Sequence, residues 1–548
     1  MENSLTILEK YFGYHAFRDG QEPIIENILG GRDALGIMPT GAGKSMCYQV
    51  PAMMFDGVTI VVSPLISLMK DQVQALTQAG VPAAFINSSL NMSELDDVYH
   101  RARTGDYKIL YVAPERLTAP DWLTLAGEIK ISMVTVDEAH CISQWGQDFR
   151  PSYLAIPDFI ESLTLPGAHQ GAHQGSRPVV SAFTATATAQ VREDIVVRLR
   201  LQDPLVMLTG FDRPNLYYEV QKPKNKTSAL LKILRERQDR SGIVYCSTRK
   251  AVEEVCAELT LKGYAVTRYH AGLSEKERRA NQEDFQYDRK TVMVATNAFG
   301  MGIDKSNVGY VIHYNMPKNL ESYYQEAGRA GRDGSPADCI LLYSGQDVRT
   351  GQFLIEKSIE SNEDLTYEQK HSLMEKDLAL LSKMTIYTAT QDCLRGYILK
   401  YFGEKTDIYC GNCSNCNTTF EEKDVTEEAQ KIVSCIVRMS KWNQSYGRAY
   451  GKTMIADVLR GSAVARIIQT GFDRLPTYGI MADVPKRRII DIIDHLIING
   501  YLNITEDKYP VVTLTNRYKE ITNGEALLKI KLPKHKEPEK QKTFTGTG

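Results

Sequence analysis

The chain has 548 residues, 43% hydrophobic and 24% charged, and its 65 Lys+Arg against 67 Asp+Glu give a formal net charge of −2. That is a folded, globular composition of roughly three or four domains, which excludes wholesale disorder and collagen-like repeats. No apolar run approaches the ~18 residues of a membrane helix, Met1-Glu2-Asn3-Ser4 lacks the order of a signal peptide, and a cytoplasmic location is expected.

Apolar runs of strand length at 34–38, 58–63, 109–113, 133–136 and 179–183 are each followed by polar or helix-forming sequence. This is the βαβ pattern of a parallel sheet. After the first run comes Met38-Pro39-Thr40-Gly41-Ala42-Gly43-Lys44-Ser45. Gly41 and Gly43 permit a tight turn that aims backbone N–H groups at phosphate. Lys44 would pair with the β- and γ-phosphates and Ser45 would ligate Mg²⁺. Met38 stands where the strict pattern has glycine. The fourth run ends in Asp137-Glu138-Ala139-His140. Asp137 suits Mg²⁺ held through water, and Glu138 suits a general base that polarises the attacking water.

Next comes Ser143-Gln144-Trp145-Gly146-Gln147-Asp148-Phe149-Arg150-Pro151-Ser152-Tyr153. Its aromatics could stack on unpaired bases at ~1–3 kcal/mol each. Alternatively, Trp145, Phe149 and Tyr153, four residues apart, form one buried helical face. Further on, Gly167-Ala168-His169-Gln170 repeats at once as 171–174 and reads as a flexible surface insertion.

The strand pattern restarts after Phe211-Asp212-Arg213-Pro214, with runs at 242–246, 265–269, 291–295 and 310–313. This second lobe ends in Gln325-Glu326-Ala327-Gly328-Arg329-Ala330-Gly331-Arg332-Asp333-Gly334. Two arginines three apart share a helix face and suit γ-phosphate and transition-state charge. Loop and Mg²⁺ residues on one lobe, with arginines on the other, imply a cleft that closes on ATP.

The stretch 347–400 turns helical and charged. Cys393, then Cys410, Cys413 and Cys416, supply four thiolates, enough for closed tetrahedral zinc of structural type; an iron–sulfur cluster and chance clustering are the alternatives. The other six cysteines read as small buried residues. From 425 an apolar stripe at Ile432, Val433 and Ile436, a run at 489–498 and a β-like pair split by 506–510 suggest a winged helix. Between Lys431 and Lys531 there are 16 Lys+Arg and 9 Asp+Glu, a balance of +7 that suits duplex phosphates. The tail from 533 is rich in Lys, Glu and Pro and reads as disordered.

In this order the blocks resemble superfamily 2 helicases, specifically the RecQ DNA helicases of bacterial type lacking a C-terminal helical accessory domain. Phe12-Gly13-Tyr14, Phe17-Arg18 and Gln21 resemble the adenine-recognition motif, and Ser63-Pro64-Leu65-Ile66-Ser67-Leu68-Met69-Lys70-Asp71-Gln72 resembles motif Ia. Ala113-Pro114-Glu115-Arg116-Leu117 and Phe183-Thr184-Ala185-Thr186-Ala187 resemble the next blocks. Ala295-Thr296 with Phe299-Gly300-Met301-Gly302-Ile303-Asp304-Lys305 resembles motif V, and the arginine stretch motif VI. The resemblance covers roughly residues 5 to 531.

The resemblance implies that Tyr14 and Arg18 sandwich the adenine and Gln21 bonds its edge. Thr40, Gly41, Gly43, Lys44, Ser45, Gly302 and Asp304 would complete the nucleotide site. Arg332 would be the arginine finger, with Arg329 either on phosphate or supporting it. The cysteines would hold zinc, and Trp145, Phe149 and Arg150 would meet DNA. Gln147 stands where many members have histidine and cannot take up a proton. The implied architecture is two RecA-like parallel-sheet lobes (1–208 and 209–346), a helical zinc-binding module (347–424), a winged-helix domain (425–532) and a disordered tail (533–548). The implied activity is Mg²⁺- and ATP-dependent 3′→5′ unwinding of duplex or branched DNA in recombination and repair. A nucleoid-associated monomer acting on single-stranded and duplex DNA is expected, with protein partners unspecified. A DEAH-type RNA helicase and an ATP-switched DNA binding or annealing protein are the rival readings.

Overall fold

Short apolar strands alternating with amphipathic helices bury both faces of a sheet, and the chain does this twice. The computed structural model describes residues 3–146, 148–164, 177–300, 305–362, 366–406, 409–418, 420–442, 449–505 and 511–533. The repeat at 167–174, Gln147, Gly302, Asp304, the turn 506–510 and the tail after Pro533 lie outside them.

The first lobe holds β1 (Ala34–Ile37), β2 (Val58–Val62), β3 (Ala83–Ile86), β4 (Ile109–Val112), β5 (Ile131–Val136), β6 (Val179–Thr184) and β7 (Leu205–Leu208). They form a parallel sheet in the order β3-β4-β2-β5-β6-β1-β7. The second lobe holds β8 (Leu216–Gln221), β9 (Ser241–Tyr245), β10 (Val266–Tyr269), β11 (Val292–Ala295), β12 (Val308–His313) and β13 (Ala337–Leu342). These too are parallel, in the order β10-β11-β9-β12-β13-β8. Every residue of β1, β2 and β4 is buried, so these strands read as continuous apolar runs.

Four strands escape the apolar-run reading. β3, β7 and β8 are edge strands that alternate or mix burial, which dilutes the run. β13 opens with Ala337-Asp338, residues of low strand preference, and is held by its neighbours.

Beyond the lobes, helices Gly345–Glu360, Tyr367–Ala389 and Leu394–Tyr401 precede the cysteine knuckle. A separate core follows, built from Ile432, Val433 and Ile436 on helix Thr426–Trp442 and Ile489, Ile492 and Leu496 on helix Lys486–Ile498. Strand β14 (Phe420–Asp424) enters this domain, the hairpin β15 (Leu502–Ile504) and β16 (Val512–Leu514) forms the wing, and β17 (Lys529–Pro533) leaves it. β14 and β17 pair antiparallel, Phe420 opposite Pro533. Residue 533 therefore ends a strand, where a disordered tail was expected to begin; partners more than 100 residues apart leave no local signal of this pairing. Among the described residues, no helix is long and apolar enough to cross a membrane.

The segment between the lobes is pinned by the cysteine module. The Phe211 ring stacks on Phe402 with centroids 4.3 Å apart. Its N–H donates to the Glu404 carboxylate, and its carbonyl accepts from Tyr324 Oη at 2.8 Å. Arg395 Nη2 donates to Pro214 O at 2.9 Å and Leu216 O at 3.2 Å, and Cys413 forms a parallel bridge to Tyr218. The module thus covers the outer edge of β8. Phe211→Ala should cost about 3–5 kcal/mol, the range for truncating a buried phenylalanine. Thermal unfolding checks this, and a melting midpoint equal to wild type would show that the stack is dispensable.

Candidate active site

A cavity of about 410 Å³ opens between the lobes, and its lining includes Lys44, Asp137, Glu138, Gln325, Arg329 and Arg332. Tyr14, Arg18, Gln21, Thr40, Gly41, Gly43 and Ser45 line it as well. Residues scattered over more than 300 positions converge because the lobes present the ends of their strands to one cleft.

The phosphate loop leaves β1 and enters helix Met46–Met54. Gly41 and Gly43 have φ of 88° and 81°, which favours glycine. A Cβ at Gly43 would lie 2.5 Å from Gln21 Nε2, so the second glycine also makes room for that amide. Gln21 Nε2 donates to Gly43 O at 2.9 Å and Ala42 O at 3.2 Å, and Arg18 Nη1 donates to Gly41 O. Both side chains therefore brace the loop from the cavity mouth, where Tyr14 stands half exposed. Lys44 Nζ donates to Met38 O at 3.4 Å. Met38 is fully buried in the sheet core, which accounts for a large apolar residue at the glycine position of the strict pattern.

At the end of β5, Asp137 N–H donates to Val62 O at 2.9 Å. Glu138 follows with φ of 48°, left-handed and uncommon for a side chain of this size. The bend carries the chain into a short turn, Ala139–Ile142. His140 Nδ1 lies 3.3 Å from Glu138 Oε2 and 2.9 Å from Thr184 Oγ1, tying the acid to the end of β6. Burial and the adjacent Glu138 charge push Asp137 up to about 6, against the pull of Lys44. Burial also opposes ionisation of Glu138, but the His140 hydrogen bond and the charges of Lys44, His140 and Arg329 hold it down at about 2. Two partly buried carboxylates and the Ser45 hydroxyl line the same cavity, an oxygen-rich donor set that fits a hard divalent cation such as Mg²⁺.

From the second lobe, Arg329 is 7% exposed, and its Nη1 donates to Gly300 O. Its buried Nε has no hydrogen-bond partner among the described residues, a donor suited to an anion. A Cβ at Gly41 would lie 3.5 Å from Arg332 Cγ, so the Arg332 stem rests on the phosphate loop. Gln325 Nε2 donates to Thr186 Oγ1 across the cleft at 3.0 Å.

The aromatic-rich stretch is not one helical face. Trp145 is 49% exposed, whereas Tyr153 is fully buried and donates to Asp137 O at 3.0 Å. No continuous α-helix runs through the described residues of 145–153: a Cβ at Gly146 would meet His140 O at 2.3 Å, and Pro151 opens a separate 3-10 helix, Pro151–Ala155. Arg150 is occupied within the protein, with Nη1 on Pro64 O at 2.9 Å and Nε on Asp148 Oδ2 at 3.1 Å. Trp145 and Phe149 line a second cavity, of about 210 Å³, against Leu373 and Lys376 of helix Tyr367–Ala389. Lys376 Nζ donates to Gln144 O and Gly146 O, each at 2.8 Å. Lys376 carries no motif signal, because its partners are backbone carbonyls more than 200 residues away.

The ligand atoms of Cys393, Cys410, Cys413 and Cys416 all lie within 4.8 Å of one another. Cys410 and Cys416 sulfurs are 3.9 Å apart, close to the about 3.8 Å between corners of a tetrahedron with 2.3 Å Zn–S bonds. A multi-iron cluster would hold its sulfurs farther apart. Backbone N–H groups of Gly396, Asn412 and Cys416 donate to Cys393, Cys410 and Cys413 sulfurs at 3.3–3.4 Å, the usual orientation of thiolates around a cation. Among bare thiols, the hydrogen bond with Cys393 and then burial push Cys413 up to about 12; a bound cation lets the set ionise together.

Profiles of four families match the chain in sequence: DEAD/DEAH box helicase at residues 18–195, helicase conserved C-terminal domain at 225–334, RecQ zinc-binding at 345–417 and RQC domain at 419–541. The DEAD-box helicase Mss116, solved with single-stranded RNA, shares the two-lobe fold with a TM-score of 0.53 at 15% identity, covering 74% of this chain and 91% of that one. The ATP-dependent DNA helicase RecQ of Bacillus subtilis is 43% identical over 96% of this chain and 84% of its own length. The protein of the same name from Haemophilus influenzae is 38% identical over 97% of this chain and 81% of its own. Identity at this level over nearly the full length establishes kinship: the chain belongs to the RecQ family of ATP-dependent DNA helicases.

Proposed function

We propose that the enzyme couples Mg²⁺-dependent ATP hydrolysis to 3′→5′ movement on single-stranded DNA, and that it unwinds duplex and branched DNA in recombination and repair. One observation carries the reading: a single cleft lined by Lys44, Asp137 and Glu138 from one lobe and Arg329 and Arg332 from the other. On this reading the two parallel-sheet lobes are the motor, the helices and cysteine knuckle that follow are a zinc-braced support, and the winged helix bounded by β14 and β17 binds duplex. It acts as a monomer in the bacterial cytoplasm, on nucleoid DNA.

Tyr14 and Arg18 hold the adenine, and Gln21 turns its amide from the loop to the base. Lys44 and the loop N–H groups take up phosphate charge. Ser45 and Asp137 would hold Mg²⁺, which when bound supplies charge neutralisation between the phosphates. Glu138, ionised and fixed by His140, orients the attacking water and accepts its proton. Arg332, supported by Arg329, stabilises the charge on the transferred phosphoryl group. Loss of that charge weakens the cross-cleft contacts and lets the lobes part. Trp145 and Phe149 offer ring faces to unpaired bases, and Tyr153 connects their loop to Asp137.

Strand displacement on 3′- and 5′-tailed DNA and RNA duplexes tests the reading; unwinding confined to RNA, or to 5′-tailed substrates, would sink it. Lys44→Ala should abolish DNA-stimulated ATP turnover while leaving DNA binding intact. Trp145→Ala should leave basal ATPase unchanged and lower unwinding about tenfold or more, in line with the loss of a stacking contact of ~1–3 kcal/mol. An unchanged unwinding rate would remove Trp145 from the DNA path. Cys413→Ala should abolish bound zinc, measured by metal analysis, and lower the melting midpoint; a soluble, zinc-free variant melting like wild type would refute a structural metal.

A further inference from the structure

Arg213 lies in the segment between β7 and β8, and its guanidinium reaches two loops at once. Nη1 donates to Thr40 O of the phosphate loop at 3.2 Å and to Gly328 O at 3.3 Å. Nη2 donates to Ala330 O at 3.0 Å and Gly331 O at 2.8 Å. The last three carbonyls belong to the turn that carries Arg329 and Arg332. Asn215, two residues on, donates to Gly331 O and Ser335 O, each at 2.9 Å. Gly331 has φ of 56°, and a Cβ there would lie 2.4 Å from Asn215 Nδ2, so turn and segment are fitted to each other. The segment itself is held from behind by the Phe211–Phe402 stack and by Arg395 on Pro214 O. Thr40 precedes Gly41, on which the Arg332 stem rests.

We propose that Arg213 is a positioning residue of the ATPase, holding the turn that bears Arg329 and Arg332 in register with the phosphate loop. This rests on the nucleotide site proposed above. Arg213 does not itself line the nucleotide cavity. It acts by presetting where the two other guanidiniums stand, which matters most when charge develops on the transferred phosphoryl group. The task requires a planar fork, since a single ammonium on a flexible stem cannot span four carbonyls in two loops.

The test is steady-state, DNA-stimulated ATPase of the full chain, with zinc content and melting midpoint measured alongside. Arg213→Ala should lower kcat about tenfold or more and change KM for ATP less than about threefold, the pattern of a lost transition-state contact. Arg213→Lys should fall nearly as far despite keeping its charge. Guanidinium ion in the buffer should restore part of the Arg213→Ala rate and none of the Lys44→Ala rate. A wild-type kcat in either Arg213 variant, a loss confined to KM, or an absence of guanidinium rescue would overturn the assignment. If Arg213→Ala does not fold, Arg213→Lys at the wild-type melting midpoint decides by its kcat. A fully active Lys44→Ala would sink the site itself, whereas an inactive Lys44→Ala beside an unaffected Arg213→Ala would sink only the role of Arg213.

Discussion

A partly buried acid pair facing guanidiniums from a separate lobe is the constraint on which the rest of the structure depends. Desolvating either set alone costs several kcal/mol per ion, and a charge left without its partner is strongly destabilising. Arg329 is nearly buried, and its compensation comes from Gly300 O within its own lobe and from the Glu138 charge across the cleft. The acids draw on Lys44 and His140 within their own lobe and on Arg329 across the cleft. The cleft therefore has a preferred spacing, set by charges that a polyphosphate would redistribute. Both sheets serve this arrangement by ending their strands at the cleft. The cysteine module serves it by fixing the segment that runs between the two sheets.

Some of this is legible in the sequence because the chemistry is local. The phosphate loop needs glycines and a lysine within six positions, the acid pair must close an apolar run, and three of the four cysteines stand within seven residues. Other features leave no such trace. Arg213 and Lys376 bond to backbone carbonyls, which every residue possesses. β14 and β17 pair across the whole winged-helix domain. The four-residue spacing of Trp145, Phe149 and Tyr153 suggests a helix, yet the close approach of Gly146 to His140 O imposes a different path. There tertiary contact overrides periodicity, and the three rings reach different surroundings.

The charge balance behaves similarly. A chain at −2 contains a stretch at +7, so its average conceals a division of labour. Two of its ion pairs, Lys452 with Asp494 and Lys486 with Asp457, already cancel within that balance, and Arg488 is further committed to Glu428, just before the counted stretch. A raw count of basic residues therefore overstates the charge offered to phosphate.

The bridge between Cys413 and Tyr218 carries a consequence beyond folding. β8 is the last strand of its sheet, and an uncovered strand edge is a template for intermolecular pairing. The metal-binding knuckle is the cover. Unfolding of the knuckle would thus do more than loosen a local turn: it would uncover backbone groups of β8 that Cys413, Arg395 and Asn412 now meet.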